Sequence, residues 1–243
     1  TNKLLRIVNS AYYARVGSVG TVSRAVSLVG FNGIRNMALG LVLLEKMQNH
    51  AHVDVLTLEF LRAVMAGSIA RELSPLATDG EEAFIGAMFQ DLGRLIAKFY
   101  FLKESLEIQA LVDFNAGRMT ESSAATRVLG IDFEALGLAV AKQWELPQDI
   151  CKYLHKPVGE PPLRAAADAQ QRLRWITIAA NQIASALLQW QHDQQPEHLE
   201  PIYKRYARVV GISTQALQTA TALARQRLSE LATAMHLPIA REI

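Results

Sequence analysis

The stretch EEAFIGAMFQDLGRLIAKFYFL, residues 81 to 102, is the most informative part of the chain. On a wheel at 100° per residue its large apolar side chains cover one broad arc, as expected for a helix buried on most of its surface. A narrow polar stripe lies opposite that arc and consists of Gln90, Asp91, Arg94 and Lys98. We therefore predict one central helix over residues 81 to 102.

Small residues border the polar stripe on the same wheel, namely Gly86, Gly93 and Ala97. A glycine within a helix costs on the order of 1 kcal/mol relative to alanine, so two of them point to a need for space. We expect another helix to approach closely along this strip. The alternative for the polar stripe is an exposed edge with an Asp91–Arg94 pair, which would contribute only a few tenths of a kcal/mol.

Helical periodicity continues through the rest of the chain, and strand-like alternation is nearly absent. A core-facing stripe predicts a helix over about 54 to 73, and residues 156 to 162 form a linker rich in proline. Ser213 is expected to cap a last helix with a heptad-like seam. The seam consists of Leu217, Thr221, Ala224, Leu228, Leu231 and Met235. These patterns predict an all-α fold, and the length of the chain fits one large helical domain or two closely packed helical lobes, of which we favour the two lobes.

Composition excludes several classes of protein. The 243 residues are half hydrophobic and carry a formal charge of +2, so a large core is expected and nucleic acid is disfavoured as a partner. The longest apolar run covers residues 37 to 44, far short of the roughly 20 residues that span a bilayer. Cys151 is the only cysteine, which fits a reducing compartment. We expect a cytoplasmic protein without membrane contact.

Residues 82 to 95, EAFIGAMFQDLGRL, resemble the central motif of the HDOD family, the HD-related output domains. In that family the stretch has acidic residues and Ala-Phe, followed by Gly-Leu-Leu-His-Asp-Ile-Gly. Gln90 stands at the position of the usual histidine, whereas the aspartate is kept as Asp91. Three further stretches resemble family motifs in the expected order: KLLRIVNSAYY at 3 to 13, SRAVSLVG at 23 to 30, and LG at 136 to 137 followed by WELP at 144 to 147.

The resemblance covers most of residues 1 to about 190. It implies an all-α HDOD domain over 1–190, with residues 191–243 as a helical extension packed on that domain. It also implies a bacterial signal-transduction protein with a regulatory role. Because the family pattern begins earlier than this chain, we expect further helices before Thr1.

The resemblance also implies where an HD phosphohydrolase would hold its metal ions. Of the side chains at those positions, only Asp91 and His155 are of types that commonly bind metal ions. The other positions carry Arg62, Gln90, Phe133, Leu154 and Asn181. A guanidinium repels a metal ion, and glutamine is a poor ligand for zinc, iron or manganese. We therefore expect no metal, no other cofactor and no catalytic residues.

The leading hypothesis is a non-catalytic signalling module that binds a protein partner or an effector. Gln90, Asp91, Arg94 and His155 form its candidate ligand or partner pocket, and structural hydrogen bonding is the competing interpretation of all four.

Two other functions stay open. One is a residual metal-dependent phosphohydrolase acting on a nucleotide or cyclic dinucleotide, and the other is a nucleic-acid-binding regulator. Homodimerisation through the C-terminal seam is a further hypothesis, with packing on its own domain as the alternative.

Two smaller pairs carry weaker hypotheses. His50 and His52 could bind a metal, although a solvated turn is the ordinary interpretation of such spacing. Cys151 and His155 share a helix face at a spacing of four and could form a nucleophilic dyad. A lone cysteine is more often a small buried hydrophobe.

Overall fold

The computed structural model of the chain describes residues 53–74, 77–115, 118–146, 148–157, 159–189 and 194–234, with positions 21, 23, 25, 26, 34 and 38. The stretches from residue 53 onward contain ten helices and no strand, which confirms the all-α class. The helices are α1 (Val53–Leu73), α2 (Ala77–Phe89), α3 (Leu92–Tyr100), α4 (Leu102–Phe114), α5 (Glu121–Leu129), α6 (Phe133–Gln143), α7 (Gln148–Leu154), α8 (Ala169–Gln189), α9 (Gln195–Val210) and α10 (Thr214–Ala234). Among these helices, none combines the length and the apolarity that a membrane span requires.

Helix α1 is the centre of the larger lobe. It packs against α2, α8 and α10, and α9 packs against α8 and α10. The predicted stripe of α1 is buried at Leu61, Met65, Ile69 and Leu73, whereas Leu58 at its start is 38% exposed. Burying a side chain of this size stabilises the fold by about 1.5–3 kcal/mol. The stripe therefore fixes α1 between its three neighbours.

The smaller lobe consists of helices α3 to α7 and has two cores of its own. Leu92, Ile96 and Leu154 belong to a cluster that joins α3, α6 and α7 with the end of α2. Ile108 and Ala124 belong to a second cluster that joins α4 with α5. Because α2 contributes to the cores of both lobes, the two lobes meet along it.

The prediction of one helix over 81–102 is wrong. The chain turns at Gln90 and Asp91 between α2 and α3, and it breaks again at Phe101 before α4. The reason is that the two halves pack on different partners, α2 on α1 and α8, and α3 on α6. A turn between them lets each half bury its own apolar face, whereas periodicity alone does not detect a two-residue turn.

The predicted close approach along the small residues is confirmed, but it involves different helices. A Cβ atom on Gly86 would lie 2.8 Å from the ring of Tyr153 in α7. A Cβ atom on Gly93 would overlap the carbonyl oxygen of Phe133 and lie 2.8 Å from the amide nitrogen of Gly137, both in α6. Only glycine allows α3 and α6 to touch through their backbones here.

Helix α9 packs on α8, and α10 packs on α1 and α9. Ser213 Oγ accepts the amide of Ala216 at 3.1 Å, as expected of an N-cap. The described side chains of the predicted seam are buried inside the chain, where α10 packs on α1 and α9. They are Leu217, Thr221, Ala224 and Leu228. The chain itself thus covers the seam, and homodimerisation stays a prediction that needs another surface.

Several sequence-based predictions fall outside the described residues. They include the N-terminal motifs at 3 to 13, most of the motif at 23 to 30, and the His50–His52 pair. The side chains of Leu231 and Met235 also lie outside the described part. The boundary at residue 190 between the HDOD domain and its C-terminal extension stays a prediction.

Candidate functional site

A buried guanidinium is the centre of a polar cluster between α1, α8 and the turn after α2. The side chain of Arg62 in α1 is only 7% exposed. Its Nε and Nη2 atoms lie 2.8 and 2.7 Å from Oε1 of Glu59. Its Nη1 atom lies 3.0 Å from both Oδ1 of Asn181 and Oδ2 of Asp91. Two carboxylates and an amide therefore compensate the buried charge.

Asp91 directs its carboxylate into this cluster. It precedes α3 but makes no side-chain cap for that helix. Its Oδ1 atom accepts a hydrogen bond from Nζ of Lys156 at 2.6 Å, and Oδ2 pairs with Arg62. Burial is the largest influence on the Asp91 pKa and would raise it, but Arg94, Lys156 and Arg62 together hold the pKa far below its ordinary value. Asp91 is therefore ionised at neutral pH.

Glu59 is the second buried carboxylate. Its Oε1 atom pairs with Arg62, and its Oε2 atom accepts from Nζ of Lys98 at 2.6 Å. Burial again acts to raise the pKa, and the cations Arg62, Lys98 and Arg94 outweigh it, so that the pKa of Glu59 is lowered. The two carboxylates and their cations form a continuous chain of ion pairs from α1 to α3.

Two side-chain amides complete the cluster through structural hydrogen bonds. Gln90 donates from Nε2 to Thr177 Oγ1 at 3.2 Å and to the carbonyl oxygen of Tyr153 at 3.4 Å. Asn181 donates hydrogen bonds from Nδ2 to Oε1 of Gln90 at 3.1 Å and to the carbonyl oxygen of Ala87 at 2.9 Å. Asn181 thus ties α8 to α2, and Gln90 ties the turn after α2 to α8 and α7. For Gln90, the competing structural interpretation is thus supported by these contacts.

Arg94 does not form the Asp91–Arg94 hydrogen-bonded pair considered from the sequence. Its Nη2 atom pairs with Oε2 of Glu121 in α5 at 2.5 Å. Its Nε atom is buried and has no hydrogen-bond acceptor among the described residues. Arg94 therefore joins α3 to α5 and still has one unused buried donor.

His155 is placed away from the cluster. Its imidazole is 63% exposed, and Nδ1 lies 2.9 Å from Oε1 of Glu134 in α6. Cys151 Sγ lies 3.9 Å from the carbonyl oxygen of Leu146. The Cys151–His155 dyad considered from the sequence is thus not formed, because each side chain has another partner.

Gln90, Asp91 and Arg94 line one cavity of about 390 Å³, and His155 is not part of its wall. Lys156, the residue after His155, lines the cavity instead. The opposite walls come from α8 and α9, through Ile178, Gln182, Ser185, Gln189, His198 and Ile202. Sequence reasoning missed this wall. The signal was present as a polar stripe, Gln182, Ser185 and Gln189 at steps of three and four on an otherwise buried helix.

Four residues at the implied metal positions, Arg62, Gln90, Asp91 and Asn181, converge, but they do not fit a divalent metal ion. Arg62 pairs directly with Asp91, and hydrogen bonds link Arg62 to Asn181 and Asn181 to Gln90. A guanidinium is itself a cation, the two amides are weak ligands, and Asp91 is already paired with two cations. Within the part of the chain that the structure describes, no group of three or more His, Cys, Asp or Glu side chains could hold a metal.

The sequence profile of the HDOD domain matches residues 1–156, and the chain belongs to the HDOD family. Helices α8 and α9, which supply Asn181 and the far wall of the cavity, follow the matched segment. No curated protein sequence matches the chain.

Two solved structures share the fold over nearly the whole chain. One is a protein from Shewanella amazonensis SB2B, provisionally described as a phosphohydrolase. It is 20% identical with a TM-score of 0.65, and the match covers 96% of this chain and 81% of that protein. The other is an HDOD domain protein with unknown function from Geobacter sulfurreducens. It is 19% identical with a TM-score of 0.65, and the match covers 95% and 81% of the two chains. These likenesses establish the fold alone.

Proposed function

We propose that this chain is a non-catalytic regulatory module of bacterial signal transduction that acts by binding a protein partner or an effector. The observation that carries the proposal is the guanidinium of Arg62, 3.0 Å from both Asp91 and Asn181. A metal-dependent phosphohydrolase needs a metal ion at the position that this guanidinium occupies, to activate water and to neutralise phosphate charge. A divalent ion bound to Asp91 would have to displace Arg62 and Lys156 from that carboxylate.

The ion pairs give such a module a route between its two lobes. Arg62 and Glu59 belong to α1 in the larger lobe, and Arg94 connects α3 to Glu121 of α5 in the smaller lobe. Asp91 lies between them at the turn after α2. A ligand that changes the pairing at Asp91 or Arg94 would therefore act on helices of both lobes, which is what docking followed by conformational relay requires.

The first test is metal content and turnover of the protein purified without chelator. We expect well under one transition metal per chain by elemental analysis. We also expect no hydrolysis of bis(p-nitrophenyl) phosphate or of a cyclic dinucleotide with Mn²⁺, Mg²⁺ or Fe²⁺. One or two tightly bound metals per chain, together with turnover, would place the chain among the phosphohydrolases instead.

A variant that carries metal-binding side chains at these positions is the matched control. Arg62→His, Gln90→His and Asn181→Asp in one chain replace the guanidinium and both amides around Asp91 by metal ligands. This triple variant should gain transition-metal binding over the wild type, after its helicity has been checked by circular dichroism. Equal metal content in both proteins would show that the side chains of this cluster do not decide metal binding.

A further inference from the structure

The cavity beside Asp91 continues as a groove along α8. Its wall on α8 extends from Ile178 through Gln182 and Ser185 to Gln189, a distance of about 16 Å at the helical rise. Arg94 and Lys156 line the same cavity, and Asn181 on α8 is linked by hydrogen bonds to the adjoining turn. The groove is thus cationic where it meets Asp91, whereas farther along α8 it offers neutral hydrogen-bonding groups.

The balance of charge at that end favours an anion. Among the described residues that line the cavity, the charged side chains are two cations, Arg94 and Lys156, and one carboxylate, Asp91. The wall of the cavity therefore carries one positive charge in excess. Lys156 is the most accessible cation, with 44% of its side chain exposed.

The existing partners of Arg94 and Lys156 narrow the class of anion. An incoming group has to compete with Asp91 for Lys156, and at Arg94 it meets a guanidinium whose Nη2 atom is already paired with Glu121. A ligand carboxylate has the same charge as the carboxylate that it would displace. A phosphate monoester carries a charge of about −1.5 to −2 at neutral pH and three strong acceptor oxygens, so it can engage both cations at once.

Arg94 also has a donor that such a ligand would satisfy. Its Nε atom is buried and lacks a hydrogen-bond acceptor among the described residues. Buried donors in native proteins are nearly always paired. A phosphate oxygen against the guanidinium would supply the missing acceptor without breaking the pair with Glu121.

We infer that this groove binds a small organic phosphate, with the phosphate against Arg94 and Lys156 and the organic part along α8. The inference rests on the proposed function, because it names the effector of the same site. The organic part would meet the neutral polar stripe Gln182, Ser185 and Gln189, and Ile202 on α9. A bound ligand therefore touches α9 as well as the turn at Asp91, and α9 becomes the element through which occupancy is transmitted to the C-terminal helices.

Calorimetric titration with inorganic phosphate, ribose 5-phosphate, adenosine 5′-monophosphate and uncharged ribose tests this inference. We expect the two organic phosphates to bind more tightly than inorganic phosphate, and ribose not to bind. Lys156→Gln should weaken binding about tenfold, the effect of one lost hydrogen bond between charged groups. Lys204→Gln is the matched control, because Lys204 is a lysine on α9 with a 70% exposed side chain outside the cavity.

Hydrogen exchange locates the bound ligand. Adenosine 5′-monophosphate should slow exchange in α8 and α9 and leave α4 unchanged, because α4 does not line the groove. No binding of either organic phosphate at millimolar concentration, or equal affinity in the wild type and in Lys156→Gln, would overturn the inference. Binding of inorganic phosphate alone would overturn the organic part of it.

The two proposals fail in different ways. Release of inorganic phosphate from ribose 5-phosphate would contradict the proposed non-catalytic function and leave the binding groove in place. Absence of binding, with no metal and no turnover, would remove the organic phosphate and leave the proposed regulatory function standing.

Discussion

Replacing Arg62 by methionine tests whether the ion pairs of the polar cluster stabilise the fold or whether the fold only accommodates the buried guanidinium. Methionine keeps a long, flexible side chain in α1 and removes the guanidinium with its contacts to Glu59, Asp91 and Asn181. The variant leaves two buried carboxylates with fewer cationic partners. Breaking a buried ion pair from one side generally costs about 3–5 kcal/mol, because the remaining charge stays desolvated.

The structure places this variant near the lower end of that range. Glu59 keeps Lys98 at 2.6 Å, and Asp91 keeps Lys156 at 2.6 Å, so neither carboxylate is left without a cation. The oxygen of the Asn181 amide loses a donor at 3.0 Å. We therefore expect the free energy of unfolding to fall by about 3 kcal/mol.

Urea unfolding followed by circular dichroism measures the difference. With a slope of about 1–3 kcal/mol per molar urea, the midpoint should fall by roughly 1 M or more. Arg205→Met is the control, because Arg205 meets Glu160 at 3.5 Å with both side chains at least 49% exposed. Such a surface pair contributes about 0–1 kcal/mol. If the two variants lose the same stability, the buried cluster does not stabilise the fold as argued.

Two further predictions concern the close helix contact and the behaviour in acid. Gly93→Ala should lower the free energy of unfolding by about 1–3 kcal/mol, because the added Cβ atom would overlap the backbone of Phe133 in α6 and force α3 and α6 apart. Thermal unfolding checks this against Gly80→Ala, where the new atom would lie 3.2 Å from Cγ of the flexible Arg71 side chain, 3.5 Å from its carbonyl oxygen and 3.9 Å from Cβ of Ser74, so the melting temperature should hold or rise. The folded-state pKa of Asp91 is lowered, so its charge stabilises the fold above the unfolded-state pKa of about 3.9, and that contribution is lost as the pH falls below it. The stability difference between the wild type and Asp91→Asn should therefore narrow between about pH 5 and pH 2, and a difference that widens in acid would contradict the sign of the shift.

The fold class and the family could be predicted from local sequence alone. Periodic apolar residues over 54 to 73 located α1 closely, because a helix face against a core repeats every three or four residues. Ser213 marked the start of α10 through its own hydroxyl. Gly86 and Gly93 signalled close contacts, although their partners in α7 and α6 could not be inferred. Periodicity indicates that a face is covered and does not indicate what covers it.

The candidate site was predicted in part. Motif resemblance singled out Gln90, Asp91 and Arg94, which share one cavity, and it placed Arg62 and Asn181 at positions that converge on Asp91. His155 was grouped with them because the family resemblance placed it at an implied metal position. The structure turns its side chain towards Glu134 and brings Lys156 to the cavity instead.

The sequence by itself determined that this chain is all-α, that it belongs with the HDOD domains, and that most side chains at the implied metal positions, all but Asp91 and His155, are poor ligands. The tertiary structure alone decided that Arg62 meets Asn181 across 119 positions of sequence and that the chain turns at Asp91. It also decided that α8 and α9 close a groove over these residues. The physical reason is the separation along the sequence over which each interaction acts. Helix propensity, capping and periodicity act over a few residues, whereas the ion pairs that join α1 to α3 and to the turn at Asp91 exist only after packing has brought their charges within about 3 Å.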